Sequence, residues 1–109
     1  MRHSGSLVRR IAAGVALGAL AAGPGSLSAA DYFSGKKVYS RHCVGCHGVD
    51  GAGEAAGAPD FRYGTRLLQP DGALFQTIAQ GRGGMPAFRG VLSEEEILDV
   101  ISYMRTLRR

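Results

Sequence analysis

The chain has 109 residues, 45% of them hydrophobic, with 13 Lys or Arg, 9 Asp or Glu, two Cys and no Trp, and a formal net charge of +4. Three of the basic residues and none of the acids lie in the first 30 positions, so residues 31–109 hold ten basic and nine acidic residues, a net +1. One small domain fits this length, and the near-neutral balance excludes a nucleic-acid binder, which needs a basic stripe.

In chain order, residues 2–10 (RHSGSLVRR) are basic and residues 11–23 (IAAGVALGALAAG) are apolar and uncharged. Ser28 and Ala30 then supply small residues at the spacing a signal peptidase accepts. This is the order of a cleavable secretory signal peptide, predicted over 1–30 with the cut after Ala30. The apolar run is shorter than the roughly 20 residues a membrane span needs. A membrane attachment is therefore expected only if the segment stays uncleaved, and the predicted location is the periplasm. The remaining domain, 31–109, buries little apolar surface and needs a staple or a cofactor to complete its core. Two cysteines three positions apart close too small a loop to staple a fold.

A first helix is predicted from Ser34 to His42, with Val38 and Tyr39 on its apolar side. It runs directly into RHCVGCHGVDGAG, residues 41–53. Residues 48–64 are rich in Gly and Ala without a period, which reads as a long ordered loop of functional type. A second helix is predicted in DGALFQTIAQG, with Asp71 as N-cap, Gly81 as the stop, and Leu74, Phe75 and Ile78 on one face. GRGGMPAFRGV is loop again.

The last helix carries the most end signals. Ser93 and Glu96 form a capping box, and Leu92 and Ile97 are spaced for a hydrophobic staple. Ile97, Val100, Ile101, Met104 and Leu107 repeat at helical spacing. Arg105, Arg108 and Arg109 sit at the negative end of the helix dipole. No segment alternates as a strand does, so the predicted class is all-α.

Three chemistries compete for Cys43-Val44-Gly45-Cys46-His47. A redox dithiol of C-x-x-C type expects a βαβ setting, which is missing. A structural zinc site needs four ligands, and the only other histidine of the 31–109 domain is His42, with no second cysteine pair. The third reading is covalent haem c, for which C-x-x-C-H is the attachment signature. Thiols one helical turn apart can each add to a vinyl group on one porphyrin edge, and the next imidazole can reach the iron. An exported chain suits this reading.

An iron held by His47 has a sixth position, filled in a low-spin carrier and open in a sensor or peroxidase. Met104 lies on the apolar face of the last helix, where core packing accounts for it. Met85 sits between glycines and Pro86, which biases it to extended backbone. A thioether there is poorly placed for packing and well placed for a metal, so Met85 is the predicted sixth ligand. His42 is excluded because its neighbour Cys43 is tied to the other face.

With these motifs the sequence resembles the class I c-type cytochromes of the small bacterial kind, over essentially all of 31–109. C-x-x-C-H and, about forty residues on, G-M-P-x-F carry the resemblance. It implies the cytochrome c fold, three main helices and loops wrapped around one covalent haem c. Gly35 and Tyr39 match the family's early glycine–aromatic pattern, and Tyr103 with Val100 matches the helix that crosses it. Pro59 holds the place of a family proline whose carbonyl accepts a hydrogen bond from the ligand histidine, here His47. The family's propionate-binding tryptophan is absent, and Tyr63, Arg62 and Arg66 are the candidates for that task.

The resemblance further implies a monomeric single-electron carrier, without catalysis, between redox proteins such as a dehydrogenase, reductase or oxidase. Phe61, Leu68, Leu74, Ile78, Phe88 and Leu92 are expected to line the haem. Arg82 and Arg89 beside Met85, with Arg62 and Arg66, suggest a basic rim for an acidic docking face. The alternative is a haem enzyme or gas sensor with a displaceable sixth ligand, which requires a loose Met85.

Overall fold

The computed structural model describes residues 11–19 and 29–109. Most of the predicted signal peptide, including its basic stretch and Ser28, lies outside the described residues. Residues 11–19 are exposed and carry no regular structure. No helix among the described residues is long and apolar enough to cross a membrane.

Four α-helices follow: α1 (Tyr32–His42), α2 (Val44–His47), α3 (Asp71–Gln80) and α4 (Glu94–Arg105), with a 3-10 turn at Arg66–Leu68 between α2 and α3. No strand occurs among the described residues. α1 begins two residues before the predicted start because Asp31 caps it, accepting from the backbone N–H of Phe33 and Ser34. α4 carries the predicted capping box: Glu96 N–H donates to the Ser93 hydroxyl at 3.1 Å, and Ser93 N–H to the Glu96 carboxylate at 2.8 Å. Leu92 and Ile97 are both buried beside it.

α3 departs in one detail. Asp71 is its first helical residue and Pro70 takes the cap position. The Asp71 carboxylate pairs with Arg105 at 2.5 Å. The same guanidinium donates to the carbonyls of Leu67 and Gln69, so α4 holds the 3-10 turn and the start of α3 together.

The core forms where α1 and α4 cross. Gly35 lies against the backbone of α4, and a Cβ there would sit 1.9 Å from the Asp99 carbonyl oxygen. Only glycine permits this approach. One turn on, the rings of Tyr39 and Tyr103 meet at 5.2 Å. Val100, Ile101 and Tyr39 are at most 1% exposed. The Tyr39 hydroxyl donates to the Gly48 carbonyl at 2.6 Å, which ties the crossing to the end of α2. Burial, then the neighbouring Cys43, pushes the Tyr39 phenol above its ordinary range.

Candidate haem site

α2 is a single turn that α1 feeds almost without a break. Cys43 N–H donates to the Tyr39 carbonyl at 2.9 Å, and His47 N–H to the Cys43 carbonyl at 2.9 Å. This helical path sets Cys43 and Cys46 one turn apart, both as free thiols, the first half-buried and the second exposed. The loop after α2 folds back over it. Glu54 and Ala55 N–H both donate to the Cys46 carbonyl at 2.9 Å, and Gly53 N–H to that of His47 at 2.9 Å. The loop thereby satisfies the open carbonyls of a helix too short to satisfy its own.

The opposite wall is built by the end of α3 and the segment behind it. Met85 N–H donates to the Arg82 carbonyl at 2.9 Å and Arg82 N–H to the Met85 carbonyl at 3.1 Å, closing a two-residue turn on Gly83 and Gly84. Gly83 has φ +57°, the left-handed conformation such a tight turn favours in glycine. Beyond it, Phe88 and Arg89 N–H donate to the Ile78 and Ala79 carbonyls, each at 3.0 Å. The glycine-rich segment carrying Met85 is therefore fastened at both ends.

Between these walls lies a cavity of about 550 Å³, within the size range of cofactor pockets. Cys43, Cys46, His47, Pro59 and Met85 all line it. So do five of the six predicted apolar wall residues; Leu68 does not. Leu67 replaces it, 2% exposed against 58% for Leu68, because the 3-10 turn points the earlier residue inward. Met104 also reaches the wall while remaining part of the buried core.

Arg62 and Tyr63 do not line the cavity. The Arg62 guanidinium is drawn to Asp60 at 2.8 Å and Asp50 at 3.5 Å, and it covers the exposed ring of Tyr63 at 5.4 Å. The Arg62 hydrogen bonds hold the Asp60 carboxyl below its usual range. Arg66, also a candidate from sequence, does line the cavity, as do Arg82 and Gln69. Loop residues such as Gln69 show no periodicity, and nothing in the sequence marks them as wall.

The His47 ring stacks on Phe61, with centroids 4.6 Å apart and planes 20° from parallel. Its Nδ1 is buried without a hydrogen-bond partner, so the contact expected with the Pro59 carbonyl is not made. An unpartnered buried ring nitrogen is costly, and a turn of the ring toward a carbonyl such as that of Pro59 would satisfy it while the other ring nitrogen faces the cavity. Burial lowers the His47 pKa and favours the neutral imidazole that binds metals. Burial, then the adjacent Cys46, pushes the Cys43 thiol up to about 11. A redox dithiol needs the reverse, a thiol shifted down toward thiolate. Among the described residues no group of three or more His, Cys, Asp and Glu side chains converges as a zinc site requires. The donors and the apolar walls fit a covalently held haem.

Residues 18–104 match the family model described as cytochrome c oxidase, cbb3-type, subunit III. The chain is 39% identical over 80 residues to the cbb3-type cytochrome c oxidase subunit FixP of Bradyrhizobium diazoefficiens, a match that covers 71% of this chain and 28% of that protein. It is 33% identical over 78 residues to cytochrome c6 of Leptolyngbya boryana, covering 69% of this chain and 91% of the relative. The solved structure of the KustC0563 c-type cytochrome superposes with a TM-score of 0.64 at 28% identity, over 69% of this chain and 98% of that one. With its single C-x-x-C-H and this fold, the chain belongs to the c-type cytochromes, as a small class I electron carrier that binds one covalent haem c.

Proposed function

We propose that the protein is a periplasmic carrier of single electrons, with haem held by Cys43 and Cys46 and its iron ligated by His47 and Met85. The observation that carries this reading is the meeting of all four side chains on one apolar cavity. The haem supplies the one-electron couple; the chain's own residues set its conditions. The thiols fix the group at one edge, the neutral imidazole of His47 provides a nitrogen donor, and the Met85 thioether favours the reduced state. Phe61, Leu74, Ile78 and Phe88 exclude water. Arg66 and Arg82 bring positive charge to the wall, suited to the carboxylates of a haem.

The partners are redox proteins. The likenesses to a cbb3-type oxidase subunit and to cytochrome c6 support an oxidase or another redox protein as partner. Arg66, Arg82 and Arg89 are exposed around the cavity and suit an acidic docking face, weakened by salt. The clamped Arg82–Met85 turn speaks against the enzyme or sensor alternative, which needs a thioether that leaves easily.

The test is voltammetry on exported protein whose denatured mass includes one haem. A single reversible one-electron wave, unchanged by oxygen or peroxide, is the expected result. A catalytic current with either oxidant would replace the carrier with an enzyme. The haem mass is lost in the double variant Cys43→Ala, Cys46→Ala.

A further inference from the structure

Asp99 is the charged side chain buried among the described residues, 5% exposed, on the face of α4 that packs against α1. A buried carboxylate needs donors. Its Oδ1 accepts the backbone N–H of Asp31, 68 positions earlier, at 2.6 Å. Two features hold that donor in register. The Asp31 side chain caps α1 through the N–H of Phe33 at 2.8 Å. Four residues on, Gly35 lies against the Asp99 carbonyl itself. Ala29, Ala30 and Asp31 are exposed, so the bond between Ala30 and Asp31 is open to a peptidase. That bond is also the cleavage point expected from the sequence.

We infer that removal of the leader converts this contact into an ion pair between the new α-ammonium of Asp31 and the Asp99 carboxylate. The inference rests on the periplasmic location proposed above and on the leader cleavage after Ala30 that the sequence predicts. Hydrolysis breaks the Ala30–Asp31 amide bond; water adds its hydroxyl to the Ala30 carbonyl carbon and its hydrogen to the Asp31 nitrogen. At neutral pH the proton of the new carboxyl passes to the new amine. A neutral N–H donor thereby becomes a charged one at the same place, and charge-assisted bonds are about twice as strong. Cleavage then clasps α1 onto α4, the pair whose crossing supplies Tyr39 and Met104 to the cavity wall. The ammonium opposes the dipole of α1, and the Asp31 and Asp99 carboxylates offset it. Lys37 and Arg41 of α1 and Glu95 and Glu96 of α4 line the same groove, but all four are exposed and solvent-screened.

The experiment uses full-length protein exported and purified with its haem. N-terminal sequencing first locates the cut. The reactivity of the α-amine toward an acylating reagent is then measured at pH 7, in the protein starting at Asp31 and in its Asp99→Asn variant. An ion pair raises the amine pKa above its usual 7.7–8.0, and each unit lowers reactivity about tenfold. The expected result is a cut before Asp31 and an amine that becomes about tenfold more reactive in Asp99→Asn. A second comparison leaves Asp99 intact: a chain exported to begin at Ala30 presents an amine one residue out, which should react like an ordinary terminus. Equal reactivity in the Asp31 chain and the Ala30 chain overturns the ion pair while processing stands. A retained leader or a cut elsewhere overturns both.

Discussion

Gly35→Ala loses about 3 kcal/mol of stability or more, read as a fall in the denaturant midpoint followed by haem absorption. The added methyl would lie 1.9 Å from the Asp99 carbonyl oxygen and 2.5 Å from its carbon. Neither atom can move aside, because both belong to the backbone of α4. The two helices must separate, which opens the contacts of Tyr39, Val100 and Tyr103 at once. Overpacking a well-packed core typically costs about 1–3 kcal/mol, and backbone against backbone belongs at or beyond the upper end. A domain of this size has only about 4–12 kcal/mol in total. Gly72→Ala is the control. A Cβ there meets nothing within 4 Å, and the residue lies in the first turn of α3. It should raise stability by about 0.4–1 kcal/mol through the unfolded chain. Equal effects of the two substitutions would mean that α1 and α4 do not touch at Gly35.

Met85→Ala has its largest effect on chemistry and a small one on folding. Met85 is only partly buried at the edge of the core, and its turn is closed by backbone bonds that alanine keeps. The fold therefore persists while the thioether is lost. The potential should drop by roughly a few tenths of a volt, within the ≈ 0.8 V range that axial ligands span. Carbon monoxide should then bind the reduced protein. Met104→Ala should do the opposite. Met104 is 7% exposed in the core, so its truncation costs about 2–5 kcal/mol with little change in potential. A variant pair that behaves in reverse would assign the sixth ligand to Met104.

The parts of this molecule that could be read from sequence are those whose cause is local. Two thiols and an imidazole within five residues need only one helical turn to stand together. The Ser93–Glu96 box is complete within four positions, and the 3.6-residue period of α4 spans its whole length. Long-range causes were not legible. Asp71 reads as a cap because its partner Arg105 is 34 residues away and leaves no local trace. Arg62 reads as a haem neighbour because the charge that draws it away is only partly local: Asp60 stands two positions before it, but Asp50, twelve positions away, leaves no local trace. Leu67 and Leu68 are indistinguishable in a three-residue turn, which is too short to show a period. The Asp31–Asp99 contact joins the two ends of the domain, and only the crossing at Gly35 brings them together.

The most direct test of His47–Met85 ligation is an absorption spectrum of the exported protein, oxidised, then reduced, then exposed to carbon monoxide. The account predicts a weak far-red band in the oxidised state and sharp reduced bands that carbon monoxide leaves unchanged. Ready binding of carbon monoxide, with no far-red band, would contradict it and leave an open sixth position.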